Sequence, residues 1–346
     1  MISGGIDLRN VDWEEGERLI FVGGSPRSGT SLVQNILDSH PNIAGGTEFN
    51  LSKDFMEFRN RIHDHFNNSE DYSINTLEFC SPNDFDQGIG SLIEKWLLAY
   101  GEKKGKNYIS EKTPANILFF EELISIFPRS RFIFCLRDPR SVVSSLLEVG
   151  KRSKIKGLPA PSITTNIFEA IDTVNMHNNA GIKVMNHPRV LTIRYEDLVL
   201  YPENETRRIC SWLNIEWCQS LLTPELFQHD IEIGLNKGFS GVWYDRDKLY
   251  QKITPKNINT WEEKLTDFSK GILYFSFQDN KELNKLNYTF SRNGISFIGL
   301  ATAKIYLKFI KISRKIIYLT FNNAYKYIKK NERLKALILR SLRGGE

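Results

Sequence analysis

Four apolar runs of strand length punctuate the chain: RLIFVGG at 18–24, KNYIS at 106–110, RFIFCLRD at 131–138 and RVLTIRYEDL at 189–198. Dense apolar runs bounded by turn residues read as strands buried on both faces. Between them lie segments long enough for helices, at 31–39, 115–127, 139–149 and 164–186. Strands alternating with helices predict parallel pairing through helical crossovers, hence a three-layer α/β domain from about residue 17 to about residue 280. In such a sheet, ligands collect at the carboxyl ends of the strands.

Two intervals look inserted into this alternation. Residues 67–91 are polar with little periodicity, and residues 151–162 (KRSKIKGLPAPS) are basic and contain Pro and Gly. Both read as surface loops, with shaping of an acceptor pocket as the alternative. The last stretch is different. Lys304, Lys308, Lys311 and Lys315 follow helical spacing, and Ile305, Phe309, Ile312, Ile316 and Leu319 form a second stripe beside them. No uncharged run there reaches the ~18 residues that a membrane span needs. A basic amphipathic helix of this kind lies on an anionic membrane surface, docks on a partner or packs on the protein's own body. The expected organisation is one domain over 1–290 and a basic helical extension over 291–346.

Composition changes the picture in one respect. The 346 residues are 41% hydrophobic and 25% charged, ordinary for a soluble globular chain, with a formal net charge of +5. Residues 291–346, however, hold 13 Lys/Arg against two Glu, while residues 1–290 hold 33 against 39 Asp/Glu. The basicity therefore belongs to the extension, which argues against a body that binds nucleic acid through its general field. The opening residues MISGGIDLRNVDWEEGERLI are acidic where a secretory leader is basic and oily, so a cytoplasmic setting is expected, with peripheral contact at the inner membrane face through the extension. Cys80, Cys135, Cys210 and Cys218 form no C-x-x-C pair, so neither a disulfide framework nor a zinc site is indicated.

Chemistry concentrates in FVGGSPRSGTSLVQNIL. A glycine-rich turn between a strand and a helix aims backbone N–H groups and the positive end of the helix dipole at one point, which makes an anion site. Gly24 and Gly29 stand as in the phosphate-loop pattern G-x-x-x-x-G-K-[ST], but Thr30 occupies the lysine position. The missing lysine weakens a kinase or NTPase reading. Asp138 is the best candidate for a magnesium acid, yet Pro139 follows it at a first helical position, which favours a helix N-cap. Arg27 lies inside the first loop, and a second strand-to-helix junction, CLRDPRSVVSS, carries Arg137 and Ser145. Two anion sites facing one crevice suit a nucleotide with phosphates at both ends of its ribose. His63 and His65 sit on a polar stretch and read as surface residues. His40 precedes Pro41 at a helix end, where capping is the expected role.

The ordered set PRSGTSL, HPNIAGGTE, EKTP, FIFCLRDPRSVVSS and IRYEDL resembles the sulfotransferases that use 3′-phosphoadenosine 5′-phosphosulfate, over about residues 19–265. It is most similar to the branch of tyrosylprotein sulfotransferases and their bacterial relatives. The resemblance implies a P-loop-like α/β fold in which Arg27, Ser28, Gly29, Thr30 and Ser31 grip the 5′-phosphosulfate. It implies that Arg137 and Ser145 bind the 3′-phosphate and that Tyr195 lies near the nucleotide. NKGFSG looks like the late loop closing over the 3′-phosphate, which adds Lys237 and Gly238, with Lys252 as a rival for that contact. Glu48 matches the family's catalytic base and Lys112 the lysine that stabilises the transferring group, with Arg27 assisting. Sulfuryl transfer needs charge neutralised on the leaving phosphate and a base for the acceptor hydroxyl, and no metal is expected in either role. The family pattern Gly-Glu-Glu-Thr-Arg reads here Gly46-Thr47-Glu48-Phe49-Asn50, so one acid and the arginine are absent.

The expected activity is therefore sulfuryl transfer to a hydroxyl acceptor, with carbohydrate favoured and peptide tyrosine or a small alcohol as alternatives. Two other readings stay open: a nucleotide-dependent kinase, and a catalytically inactive nucleotide-binding scaffold.

Overall fold

The computed structural model of the chain describes residues 14–68, 80–229, 240–243 and 252–330. They fold into two compact units divided after Lys264, ahead of Ser291, where the charge changes sign.

The first unit is built on five parallel strands: β1 (Leu19–Gly24), β2 (Ile43–Gly45), β3 (Tyr108–Lys112), β4 (Arg131–Leu136) and β5 (Val190–Arg194). Their order is β2-β3-β1-β4-β5, so β1 is central and its neighbours lead off in opposite directions. The helices that matter for the site are α1 (Thr30–Asp38), α2 (Leu51–Asn68), α3 (Pro82–Lys103), α4 (Phe120–Ile126), α5 (Pro139–Ile155), α6 (Ile167–Val184), α7 (Tyr195–Leu200) and α8 (Pro202–Leu213). Every residue of β1 is buried. Its alternating side chains serve two cores, with Ile20 and Val22 joining Val33, Ile36, Ile133, Ile193 and Ile209 on one face. On the other face Phe21 meets Phe127 and Phe132 at ring-centroid distances of 5.2 and 5.5 Å. The expected parallel α/β architecture is thus the observed one.

Several local expectations differ. β2 is three residues long, too short for any periodicity to reveal it. β3 runs two residues past the apolar stretch, pairing Glu111 with Phe21 and Lys112 with Val22, so two charged residues occupy buried strand positions. Tyr195 opens a helix instead of extending β5. The interval 67–91 is not one loop. α2 runs through Asn68, and α3 starts at Pro82 behind a capping box in which Ser81 and Asp84 satisfy each other's backbone N–H. The interval 151–162 is likewise half helix. α5 continues to Ile155 and closes on Gly157 (φ 64), with the Leu158 N–H donating 2.9 Å to the Ser153 carbonyl.

In the second unit, α9 (Asp267–Phe277) packs on α10 (Phe297–Lys330). A Cβ added at Gly271 would stand 2.8 Å from the Ala303 Cβ, which is why a residue without a side chain sits there.

Candidate active site

The loop after β1 brings backbone and not side chain to the start of α1. Gly29 is left-handed (φ 102) and no side chain caps the helix, so the first N–H groups of α1 keep their donor capacity for an anion. A Cβ on Gly29 would lie 2.7 Å from the Tyr195 ring, and one on Gly24 would lie 2.4 Å from the Cys135 carbonyl. Both glycines are therefore dictated by close approach, at the points where the loop passes β4 and α7. Arg27 also takes a positive φ (76), uncommon for a side chain of that size and a sign of a loop held by its surroundings. What holds it is visible: Nε donates to Ser145 Oγ at 3.0 Å, and a terminal nitrogen donates to the Trp243 carbonyl at 2.7 Å.

The junction after β4 completes the same crevice. Asp138 is the N-cap of α5, accepting from the Arg140 N–H at 2.8 Å while its own N–H donates to Glu196. The capping reading of Asp138 thus describes the structure. Arg137 donates to the Arg27 carbonyl at 3.1 Å and to the Asn257 carbonyl at 2.6 Å, with its guanidinium stacked 4.2 Å from the Tyr195 ring centre. Ser141 donates to the Ile258 carbonyl, and Arg140 stacks on Trp261, so the segment from Lys252 to Lys264 is tied over the start of α5.

These elements enclose a cavity of about 200 Å³. Arg27, Gly29, Thr30, Ser31, Arg137, Ser145 and Tyr195 all line it, as does Lys252. Arg152 and Lys264 add positive charge, against Glu148 as the acid in the wall. Arg137 Nε, Ser144 Oγ and one Arg152 terminal nitrogen are buried with no hydrogen-bond partner. Orphaned buried donors are costly, and an anionic ligand in this cationic cavity would satisfy them. Ser28 is buried beneath the loop and is not part of the cavity wall. Lys237 and Gly238 lie outside the described residues.

Glu48 and Lys112 are brought together with each other and stand apart from the cavity wall. Lys112 Nζ donates to Glu48 Oε1 at 2.6 Å, with the lysine side chain fully buried and the glutamate 28% exposed. The loop that carries Glu48 is pinned on both sides. The Gly45 N–H donates to Asp38 and the Gly45 carbonyl accepts from the Tyr100 hydroxyl. Beyond Glu48, the Phe49 N–H donates to Glu111 and the Asn50 N–H to Thr113 Oγ1. Asn50 adopts φ 54, a conformation asparagine tolerates well, which gives the residue standing at the family's arginine position a local structural role.

Glu111 is the residue that sequence reasoning missed here. It is wholly buried and accepts from Thr113 Oγ1, the Asn116 amide and the Phe49 N–H. Burial pushes its carboxyl above the ordinary glutamate range, against the opposing pull of the Thr113 and Asn116 hydrogen bonds. A raised folded-state value means the folded chain holds that proton more tightly. This contribution to stability is full below the ordinary glutamate range and is lost as pH rises through the folded value. Glu111→Gln should flatten that fall, which urea unfolding at a series of pH values will report; an unchanged slope would exclude Glu111 as its source.

The other missed residues had a legible signal. Ser141, Ser144, Glu148 and Arg152 lie three or four positions apart and, with the expected Ser145, form one face of α5 against the cavity. Cys135 and Cys210 are buried free thiols, and burial pushes Cys210 up to about 11. His63 pairs with Asp86 at 2.8 Å. His40 lies just past α1, accepting from the Asn42 N–H and reaching the Glu216 carbonyl at 2.8 Å. Among the described residues no helix is long and apolar enough to cross a membrane.

Comparison with known proteins supplies the family. Protein-tyrosine sulfotransferase 1 of Danio rerio is 28% identical over 251 residues, 71% of this chain and 66% of that protein. The protein-tyrosine sulfotransferase of Drosophila melanogaster is 28% identical over 211 residues, 60% of this chain and 40% of that protein. Among solved structures, the sulfotransferase domain from the curacin biosynthetic pathway superposes with a TM-score of 0.52 at 19% identity, covering 80% of this chain and 99% of that one, which speaks to the fold. A sequence model described as the Sulfotransferase family matches residues 19–219, more than half of the chain. That match takes in every strand of the sheet and the loops after β1 and β4, and the chain belongs to the Sulfotransferase family.

Proposed function

We propose that the chain transfers a sulfuryl group from 3′-phosphoadenosine 5′-phosphosulfate to an acceptor hydroxyl. The observation that carries this reading is the cavity's two cationic loops, with buried donors on Arg137, Ser144 and Arg152 that lack partners. A donor with anionic groups at both ends of its ribose answers both loops. In this reading the N–H groups of α1, with Arg27, Thr30 and Ser31, hold the 5′-phosphosulfate, and Arg137 and Ser145 hold the 3′-phosphate. Lys252, on the cavity wall, is the preferred late contact to that phosphate.

Glu48 takes the proton as the acceptor oxygen bonds to sulfur, and the bond from sulfur to the bridging phosphate oxygen breaks. Lys112 neutralises the charge that collects on the leaving phosphate. The 2.6 Å pair between the two residues keeps base and cation side by side before the acceptor arrives. Phe49, next to Glu48 in the chain, and Phe55 both meet Trp96, at centroid distances of 6.2 and 5.8 Å, and in this reading that cluster receives a flat acceptor.

Peptide tyrosine is the first acceptor to test, on the strength of the relatives' names, and carbohydrate the second, since the loop from Gly46 to Asn50 departs from the tyrosine-specific pattern. Transfer of labelled sulfate from the donor to a tyrosine peptide or to an oligosaccharide is expected above the rate in buffer. Background rates with both classes, together with turnover of ATP and magnesium, would replace this reading with phosphoryl transfer.

A further inference from the structure

The helix α10 presents three different faces, and two are unexplained by packing within its unit. Its small-residue face is used: Ala303 is fully buried, and a Cβ on Gly299 would stand 2.6 Å from the Asp267 Cβ of α9. Away from that face run Ile298, Ile305, Phe309 and Ile312, at 73, 70, 65 and 49% exposure. Their spacing of seven, four and three residues places them in one stripe along the helix. Lys304, Lys308, Lys311 and Lys315 form an exposed stripe beside it, and no Asp or Glu occurs anywhere in Phe297–Lys330.

We propose that α10 lies flat on an anionic lipid surface, with the isoleucine and phenylalanine stripe in the headgroup–acyl boundary and the lysines on the lipid phosphates. The charge pattern selects this occupant. Lysines flanking an apolar stripe extend to the headgroups while their stems cover apolar surface. A second copy of the helix laid on the same stripe would bring lysine against lysine, with no acidic residue on the helix to answer it. The inference rests on the helix alone and stands or falls separately from the assignment of the cavity.

The test is co-sedimentation of the full chain with phosphatidylcholine vesicles, with and without about a third phosphatidylglycerol, at low and high salt. Binding to the anionic vesicles, weakened by salt, is expected, with little binding to pure phosphatidylcholine. The pair Ile305→Glu with Phe309→Glu, and separately the pair Lys308→Glu with Lys311→Glu, should each reduce binding roughly tenfold or more. Lys281→Glu, on the same unit but off this helix, should leave it unchanged. All these positions are exposed, and thermal melts will verify folding; if the apolar pair fails to fold, the lysine pair carries the test. Failure to bind anionic vesicles, or binding indifferent to both pairs, overturns the proposal. So does a concentration-dependent dimer that Ile305→Glu dissolves, which would assign the stripe to a second copy.

Discussion

Glu48→Gln is expected to keep the fold and nucleotide affinity of the wild type while losing roughly 10²- to 10⁴-fold in the rate of sulfuryl transfer, the usual worth of a positioned base. The substitution keeps an oxygen that can accept from Lys112 Nζ, so the pair's packing survives and the basicity does not. Glu48→Ala is a different experiment. It leaves a fully buried ammonium without that carboxylate and should cost on the order of 3 kcal/mol of stability in addition, the low end for a buried pair because Glu48 is partly exposed. Comparing the two separates chemistry from folding. Single-turnover transfer and urea unfolding are the measurements, and a Gln variant that turns over like wild type would remove Glu48 as the base.

Arg137→Ala should weaken binding of 3′-phosphoadenosine 5′-phosphate about 100-fold, the loss expected when a guanidinium making charge-assisted hydrogen bonds to a phosphate is removed. The same side chain also fastens the Arg27 and Asn257 carbonyls and stacks on Tyr195, so a stability loss of about 1–2 kcal/mol accompanies it, with unfolding still cooperative. Arg137→Lys sharpens the test. Lysine keeps the charge but not the fork that reaches two carbonyls and a ring at once, so only part of the affinity should return. Unchanged affinity in the Ala variant would take Arg137 out of the nucleotide site.

The sheet was legible because its strands are dense apolar runs and its crossovers are helical, and the spacing of Gly24 and Gly29 located the first loop. The acidic cap at Asp138 was legible from the proline behind it. What was not legible has a common cause. Lys112 was named from its motif, but its burial with Glu111 at the end of β3 was not foreseen, because local pattern forbids buried charge there and only the partners Phe49, Thr113, Asn116 and Glu48 make those positions tolerable. The short β2 carries too few residues for a period, and its pairing with β3 is what defines it. The segment at 252–264 shows no cavity-forming pattern either. Its place comes from hydrogen bonds that Arg137 and Ser141 make to its backbone, which any sequence there could accept. The face of α5 from Ser141 to Arg152, by contrast, follows a helical period that a stricter reading of the sequence would have found.

Calorimetric titration with 3′-phosphoadenosine 5′-phosphate, run beside ATP with magnesium, tests the assignment of the cavity most directly. Binding of the former alone at micromolar affinity or tighter, about −8 kcal/mol or better, is the predicted result. Preference for ATP with magnesium, or no binding of either, would contradict it.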